Sequence, residues 1–286
     1  MNSNESLASA SICFYGAGSM AEAIVRGLLH KQVAQADRII MLNRSNQERL
    51  AFLSEQYGVV TAHDEDSKQQ QLQQASIIVL AMKPKDAGEA LGALGPLLRE
   101  DQLVVSLIAG LSISTMQALL GSKVAIARTM PNTSSSIGYG ATGISFSPEA
   151  TAVHRAQALS MFEAVGIVSV IPEQQMEILT GVSGSGPAYV YYMMEAMIAA
   201  GIEGGLSPEQ ARELTVQTVL GAALMMQETG EEPAKLRADI TSPNGSTQAA
   251  IGVLTSGGFQ TSVKAAVHRA AERSLEMGEA VKQALL

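Results

Sequence analysis

In two segments, Gly16-Ala17-Gly18-Ser19-Met20-Ala21 and Thr241-Ser242-Pro243-Asn244-Gly245-Ser246-Thr247, residue type and spacing together point to chemistry. The first follows a short apolar run, Ile12-Cys13-Phe14-Tyr15, and leads into an Ala- and Leu-rich stretch reaching Leu29. A strand that ends in Gly-x-Gly-x-x-Ala and continues as a helix suits a dinucleotide. The first glycine makes the turn, the second lets a diphosphate approach the backbone, and the small residue lets helix and strand pack closely. The unpaired N–H groups and positive dipole end of the helix then face the phosphates. Dinucleotide binding is therefore expected at Gly16, Ala17, Gly18, Ser19 and Met20.

The second candidate strand ends in Leu42-Asn43-Arg44-Ser45. An acidic residue there would hold the ribose hydroxyls of NAD, whereas an arginine suits a 2′-phosphate. With no carboxylate present, Arg44 can pair with a phosphate and Asn43 and Ser45 can donate to it. The expectation is NADP(H) in preference to NAD(H). Two further loops, Ala81-Met82-Lys83-Pro84 and Ile108-Ala109-Gly110, fall at the C-terminal ends of strands, where open α/β sheets bind ligands. Both are assigned to the cofactor, with Lys83 as a lysine lining the cleft.

The back half has two unusual helix openings, Val182-Ser183-Gly184-Ser185-Gly186-Pro187-Ala188 and the Thr241–Thr247 segment. Ordinary capping uses one Ser or Asn and does not require paired glycines among several hydroxyls. A helix start with so little side-chain bulk is a receptor for a small carboxylate.

These residues carry a resemblance over essentially the whole chain. The sequence resembles the pyrroline-5-carboxylate reductase family at Gly16-Ala17-Gly18-Ser19-Met20, Ala81-Met82-Lys83-Pro84 and Arg128-Thr129-Met130-Pro131-Asn132-Thr133. It does so again at Ser183-Gly184-Ser185-Gly186-Pro187-Ala188-Tyr189 and at Ser242-Pro243-Asn244-Gly245-Ser246-Thr247, followed by Ser256-Gly257-Gly258-Phe259. The resemblance implies NAD(P)H-dependent reduction of L-1-pyrroline-5-carboxylate to L-proline, the last step of proline synthesis. It also implies a dimer with interlocked helical domains, often assembled into a decamer. Asn244 stands where the family usually has glycine, and Ser246 where threonine is frequent. Asparagine tolerates left-handed backbone angles better than other non-glycine residues, so the loop shape is expected to survive.

Reducing a cyclic imine requires the ring to be held flat against a nicotinamide. A protonated ring nitrogen makes it electrophilic already, which fits the absence of His, Asp or Glu from the conspicuous motifs; His30, His63, His154 and His268 are isolated. Positioning then carries most of the catalysis. Backbone N–H groups around Asn244, Gly245, Ser246 and Thr247 are expected to hold the substrate carboxylate. Thr247 would bond the ring nitrogen or the carboxylate, and Ser185 and Gly186 would wall the same pocket. The hydroxyacid dehydrogenases of similar build use a lysine that the stretch from Val182 to Tyr189 lacks. A reductase of a related cyclic imine acid and a non-catalytic, cofactor-binding regulatory paralogue are the alternatives.

To position these residues the chain needs an α/β, Rossmann-type doubly wound N-terminal domain followed by an all-α C-terminal dimerisation domain. Candidate strands at 12–15, 38–42, 77–81, 103–107, 124–129, 143–146 and 167–171 alternate with helical stretches at 20–30, 47–57, 87–99, 115–120 and 148–164. Such alternation predicts a mostly parallel sheet covered on both faces. Beyond Pro172 only helices are expected, at 188–203, 208–228, 246–255 and 260–285, with Ser207-Pro208 as a capped start. This gives domains at 1–172, with 1–11 a loose tail, and 173–286. The glutamine run Lys68 to Gln74 reads as a short polar helix or loop. The 188–202 helix is apolar almost all round, and its expected cover is a second copy of the chain.

With 286 residues, 47% of them hydrophobic, the chain can build two cores. Its net charge of −8 argues against nucleic acid or an anionic membrane surface as a partner. Cys13 is the single cysteine, which excludes an intrachain disulfide and a cysteine-rich zinc site and suits a reducing, cytoplasmic setting. The polar opening, Met1 to Ser11, does not read as a signal peptide.

Overall fold

The computed structural model describes residues 7–285. Its sheet is built from β1 (Ile12–Tyr15), β2 (Ile39–Leu42), β3 (Val60–Thr61), β4 (Ile77–Leu80), β5 (Leu103–Ser106), β6 (Ala125–Met130), β7 (Gly140–Phe146) and β8 (Gly166–Val170). The spatial order is β3-β2-β1-β4-β5-β6-β7-β8. All neighbours are parallel except β6 and β7. The expected doubly wound sheet is present, with β3 as an addition at one edge. Its two half-buried residues are too few to show an alternation.

The central strands are buried along their whole length because each feeds two cores. Ile12, Phe14, Met41, Val79 and Val105 face one cluster, and Cys13, Ile40, Ile78, Leu80 and Val104 the other. Such strands read as continuous apolar runs, as parallel strands covered on both faces must. Helices α1 (Ser19–His30), α2 (Gln47–Tyr57), α3 (Glu65–Gln74), α4 (Ala87–Leu94), α5 (Ile113–Leu120) and α6 (Ala152–Glu163) provide the cover. Cys13 is fully buried, and desolvation pushes its thiol up to about 12, so it is an inert core residue.

The loose tail expected over 1–11 is corrected for residues 7–11. Leu7 is fully buried in the first core and Ala10 nearly so. The Ser11 carbonyl accepts from Ser76 N (2.9 Å) and Ile77 N (3.0 Å), which ties the segment to the start of β4. The rest of the tail lies outside the described residues.

By contacts the chain forms two compact units. One contains the sheet and runs to Ser185, taking in again the residues from His268 onward; the other is Gly186–Val267. This division lies beyond the expected 172/173 boundary for local reasons. Arg128 on β6 reaches past Pro172 to Glu173 and Glu177. Near the C-terminus, Gly278 lies against Gly110 so closely that a Cβ on either would run into the other's backbone.

The second unit is entirely helical, with α8 (Gly186–Glu203), α9 (Pro208–Thr229), α10 (Pro233–Asp239), α11 (Ser246–Ser256) and the first part of α12 (Phe259–Leu285). Between the sheet and α8 lie the short α7 (Met176–Leu179) and a π-turn at Thr180–Gly184. The Ser207 cap reads as expected: its side chain accepts from Gln210 N, the Gln210 side chain returns the bond, and Pro208 opens α9. No residue of α8 is buried, although Val190, Met193 and Met197 are apolar. Among the described residues no helix is long and apolar enough to cross a membrane.

Candidate active site

The first glycine of the Gly16–Ala21 motif is demanded by the fold. Gly16 adopts φ +123°, a region that L side chains rarely enter, and a Cβ there would overlap the Ala81 carbonyl oxygen. Its own N–H donates to Leu42 O (3.1 Å), while Ala81 N donates to Tyr15 O (3.0 Å). The motif turn, the end of β2 and the loop after β4 therefore meet backbone to backbone. The second glycine is different. Gly18 is the N-cap of α1 with φ −77°, brings no side chain to the cap, and a Cβ there would meet no protein atom within 4 Å. Packing does not ask for glycine at that point, whereas a ligand approaching the helix start does. Ala21, the small third position, is fully buried.

A brace that sequence reading missed holds this loop. Arg49 of α2 donates through Nε to Ala17 O (3.1 Å) and pairs with Glu22 of α1, which also accepts from Tyr57 OH (2.8 Å). Burial raises the Glu22 carboxyl, but hydrogen bonds from Arg49 and Tyr57 outweigh it and hold it below the ordinary carboxylate value.

Next to the motif lies a cleft of about 640 Å³ lined by Gly16, Ala17, Gly18, Asn43, Arg44, Ala81, Met82 and Lys83 among others. Asn43 Oδ1 accepts from Ser45 N (3.1 Å) and Asn46 N (3.0 Å), which fixes the loop and leaves the Asn43 amide N–H groups and Arg44 to donate. Arg44 is strongly exposed and reaches Glu89 only at 3.9 Å, a pair worth little. Ser19, Met20, Ser45 and Pro84 do not line the cleft. Nor do Ile108, Ala109 and Gly110. Ile108 is buried in the second core, and Gly110 is pressed against Gly278 beside a separate hollow of about 200 Å³.

The opposite wall comes from the glutamine run and α4. Glu65, Lys68, Gln69 and Leu72 share one face of α3 at i, i+3, i+4 and i+7, and Ala90 and Ala93 of α4 add an apolar patch. The lining carries four basic side chains, Arg44, Lys68, Lys83 and Lys85, against three acidic ones, Glu65, Asp86 and Glu89. In a chain of net charge −8, this is a local bias toward anions.

The segment from Val182 to Ala188 does open a helix, since α8 starts at Gly186, but a π-turn rather than an open loop precedes it. The π-turn follows α7 directly and closes at Ser185, whose N–H donates to Thr180 O (2.8 Å). Thr180 and Ser183 turn their hydroxyls back onto Met176 O (2.9 Å) and Leu179 O (3.2 Å). Arg128 anchors the start of this run, donating to Glu173 (3.1 Å) and Glu177 (2.6 Å), while Glu173 also accepts from Ile113 N (2.7 Å).

The other motif is a helix opening, as expected. Asn244 takes φ +58° in the left-handed region, and its N–H donates to Gln248 Oε1 (2.6 Å). Gly245 caps α11 without a side chain, leaving the first-turn N–H groups of Ser246 and Thr247 without a side-chain cap. Thr218, Thr229 and Thr255 fold their hydroxyls onto the carbonyl four residues back. Thr247, second in its helix, has Pro243 at that distance, outside the helix, and its hydroxyl has no hydrogen-bond partner among the described residues.

Residues 173–277 match the family model described as pyrroline-5-carboxylate reductase dimerisation, and residues 11–110 match NADP oxidoreductase, coenzyme F420-dependent. Pyrroline-5-carboxylate reductase 2 of Bacillus subtilis is 41% identical over 94% of this chain and 95% of its own length. The Pseudomonas aeruginosa pyrroline-5-carboxylate reductase is 37% identical over 95% and 98%. Among solved structures, a pyrroline-5-carboxylate reductase from Coxiella burnetii superposes with a TM-score of 0.87 at 38% identity, covering 94% of this chain and 98% of that one. A Plasmodium falciparum pyrroline carboxylate reductase with NADP bound gives 0.85 at 28% identity, covering 95% and 99%.

Proposed function

The chain belongs to the pyrroline-5-carboxylate reductase family, and from that premise we propose how its residues divide the reduction of 1-pyrroline-5-carboxylate to proline. The observation that carries the reading is the bare start of α11, where uncapped first-turn N–H groups stand beside an unengaged threonine hydroxyl. Ser246 and Thr247 hold the substrate carboxylate through those N–H groups, as a helix start holds an anion. The left-handed Asn244 and the side-chain-free Gly245 keep that approach open. The Thr247 hydroxyl bonds the substrate ring and fixes its orientation, and Ser185 and Gly186 wall the pocket.

The cleft beside Gly18 fits a dinucleotide, on the evidence of a glycine that no protein atom requires and an anion-favouring lining. When bound, the reduced nicotinamide supplies the hydride that converts the C=N bond to an amine. Gly16, Ala17 and Gly18 hold the diphosphate, with Ser19 and Met20 opening the helix behind it. Asn43, Arg44 and Ser45 hold the 2′-phosphate, and Ala81, Met82, Lys83 and Pro84 border the rest. NADP(H) is the preferred cofactor and NAD(H) the weaker one. The substrate enters as the iminium, so no strong acid is needed from the protein. Orientation alone can lower such a barrier substantially.

The test is a spectrophotometric assay of NADPH and NADH oxidation with L-1-pyrroline-5-carboxylate and its six-membered homologue. The five-membered acid should turn over fastest. A faster six-membered substrate would reassign the chain to a related imine, and no turnover of either would make it a cofactor-binding regulator. In the same assay Arg44→Ala should raise KM for NADPH about tenfold, the value of one lost charge-assisted phosphate contact, with KM for NADH within twofold. An equal rise for both cofactors would remove Arg44 from the 2′-phosphate site.

Residues 173–277 form a dimerisation domain. We propose that the working unit is a homodimer through these helices, assembled further into a decamer, in the cytoplasm. The exposed apolar side chains of α8, Val190, Tyr191, Tyr192, Met193 and Met197, support this, because isolated chains rarely expose so much. Light scattering should read the mass of two or ten copies, and a monomer at micromolar concentration would count against the arrangement.

A further inference from the structure

We propose that Asn132 is a positioning residue for the substrate end of the site, acting through the π-turn that precedes Ser185. The proposal rests on the assignment of Ser185 to that pocket. Asn132 is nearly fully buried and stands at the N-cap of the short turn Thr133–Ile137. An asparagine in that place ordinarily caps its own turn with its side chain. Here the side chain makes no capping bond. It reaches elsewhere: Nδ2 donates to Ser183 O (3.0 Å), and Oδ1 accepts from Ala141 N (3.2 Å) at the start of β7.

The reason lies in the helix it touches. A π-turn widens the helix by one residue and disturbs its regular carbonyl pairing; such turns cluster at functional sites. Ser185 N closes the turn by donating to Thr180 O (2.8 Å). Ser183 O lies within that turn, and Asn132 is the group that holds it. Met130, two residues before Asn132, supports the turn from the same side: a Cβ on Gly184 would stand 2.8 Å from Met130 Cε. The sheet segment from Met130 to Asn132 thus sets the backbone immediately before Ser185 by one hydrogen bond and one steric limit.

The primary amide serves both partners at once, one from each end. One end must donate to a carbonyl and the other must accept from an N–H. An aspartate would present an oxygen to Ser183 O and leave that carbonyl unpaired.

The experiment compares Asn132→Asp, Ser185→Ala and the double variant, measuring kcat and KM for L-1-pyrroline-5-carboxylate, Kd for NADPH by fluorescence titration, and melting temperature. Asn132→Asp should lower kcat/KM for the imine about tenfold, as expected for a lost buried hydrogen bond, while Kd for NADPH stays within twofold. In the Ser185→Ala background the same change should add little, because residues acting as one unit are non-additive. Additive losses, or imine and cofactor constants moving together, would overturn the positioning role. If Ser185→Ala alone leaves the imine constants unchanged, the pocket assignment fails instead, whatever Asn132→Asp does. Should Asn132→Asp not fold, Asn132→Ser, which keeps a smaller polar group, is carried through the same measurements with the same criteria.

Discussion

Gly16→Ala is expected to lose measurable NADPH binding and to melt well below the parent chain, whereas Gly18→Ala should weaken binding with no loss of stability. At Gly16 an added methyl meets the backbone of Ala81, with the carbonyl carbon only 2.7 Å away, and φ is +123°. Neither neighbour can rotate aside, because Ala81 N is bonded to Tyr15 O and Gly16 N to Leu42 O. Left-handed strain and overpacking each cost about 1–3 kcal/mol, so the turn and the strand ends it joins must shift together. At Gly18 the methyl meets no protein atom and φ is −77°, so the melting temperature should move by no more than a degree or two, within the precision of the measurement. Yet it projects where the diphosphate must meet the helix start, and Kd for NADPH should rise about tenfold or more, or ~1.4 kcal/mol. Calorimetric titration beside thermal melts separates the two. Unchanged nucleotide affinity in Gly18→Ala would mean that the dinucleotide does not approach α1 there.

What the sequence disclosed follows from how far each interaction reaches along the chain. The strands that feed both cores were legible because burial on two faces leaves a continuous apolar run, as in Ile77–Leu80. The Ser207 cap and the left-handed Asn244 were legible because each is a local contract between a residue type and its own backbone. The Arg49 brace was not, since Ala17 and Glu22 come to Arg49 only when α1 and α2 pack on one face of the sheet. The face of α3 that lines the cleft was visible in principle, as Glu65, Lys68, Gln69 and Leu72 at helical spacing, but its low-complexity composition hid it. The π-turn defeated the reading for a further reason. The helix start at Gly186 was legible from its glycines and serines, whereas the wide turn before it, where Thr180 and Ser183 bond back onto Met176 and Leu179, leaves no mark in composition.

The sharpest test of the substrate end is Thr247. Thr247→Ala should lower kcat for the imine about 100-fold, the lower range for a group that bonds the reacting part of a substrate in the transition state, with Kd for NADPH unchanged. Thr247→Val should do the same at nearly constant volume, and Thr247→Ser should restore most of the rate. As the second residue of α11, Thr247 has no helical carbonyl four residues back, so its hydroxyl lacks the internal partner that occupies Thr218, Thr229 and Thr255. Removing it therefore costs the fold little, and the melting temperature of Thr247→Val should match the parent. If Thr247→Val keeps full turnover, the hydroxyl does not touch the substrate and the pocket is held by the backbone N–H groups alone. If instead only KM for the imine rises while kcat stands, the hydroxyl belongs on the carboxylate rather than on the ring nitrogen, because binding lost equally from ground and transition states leaves kcat unchanged.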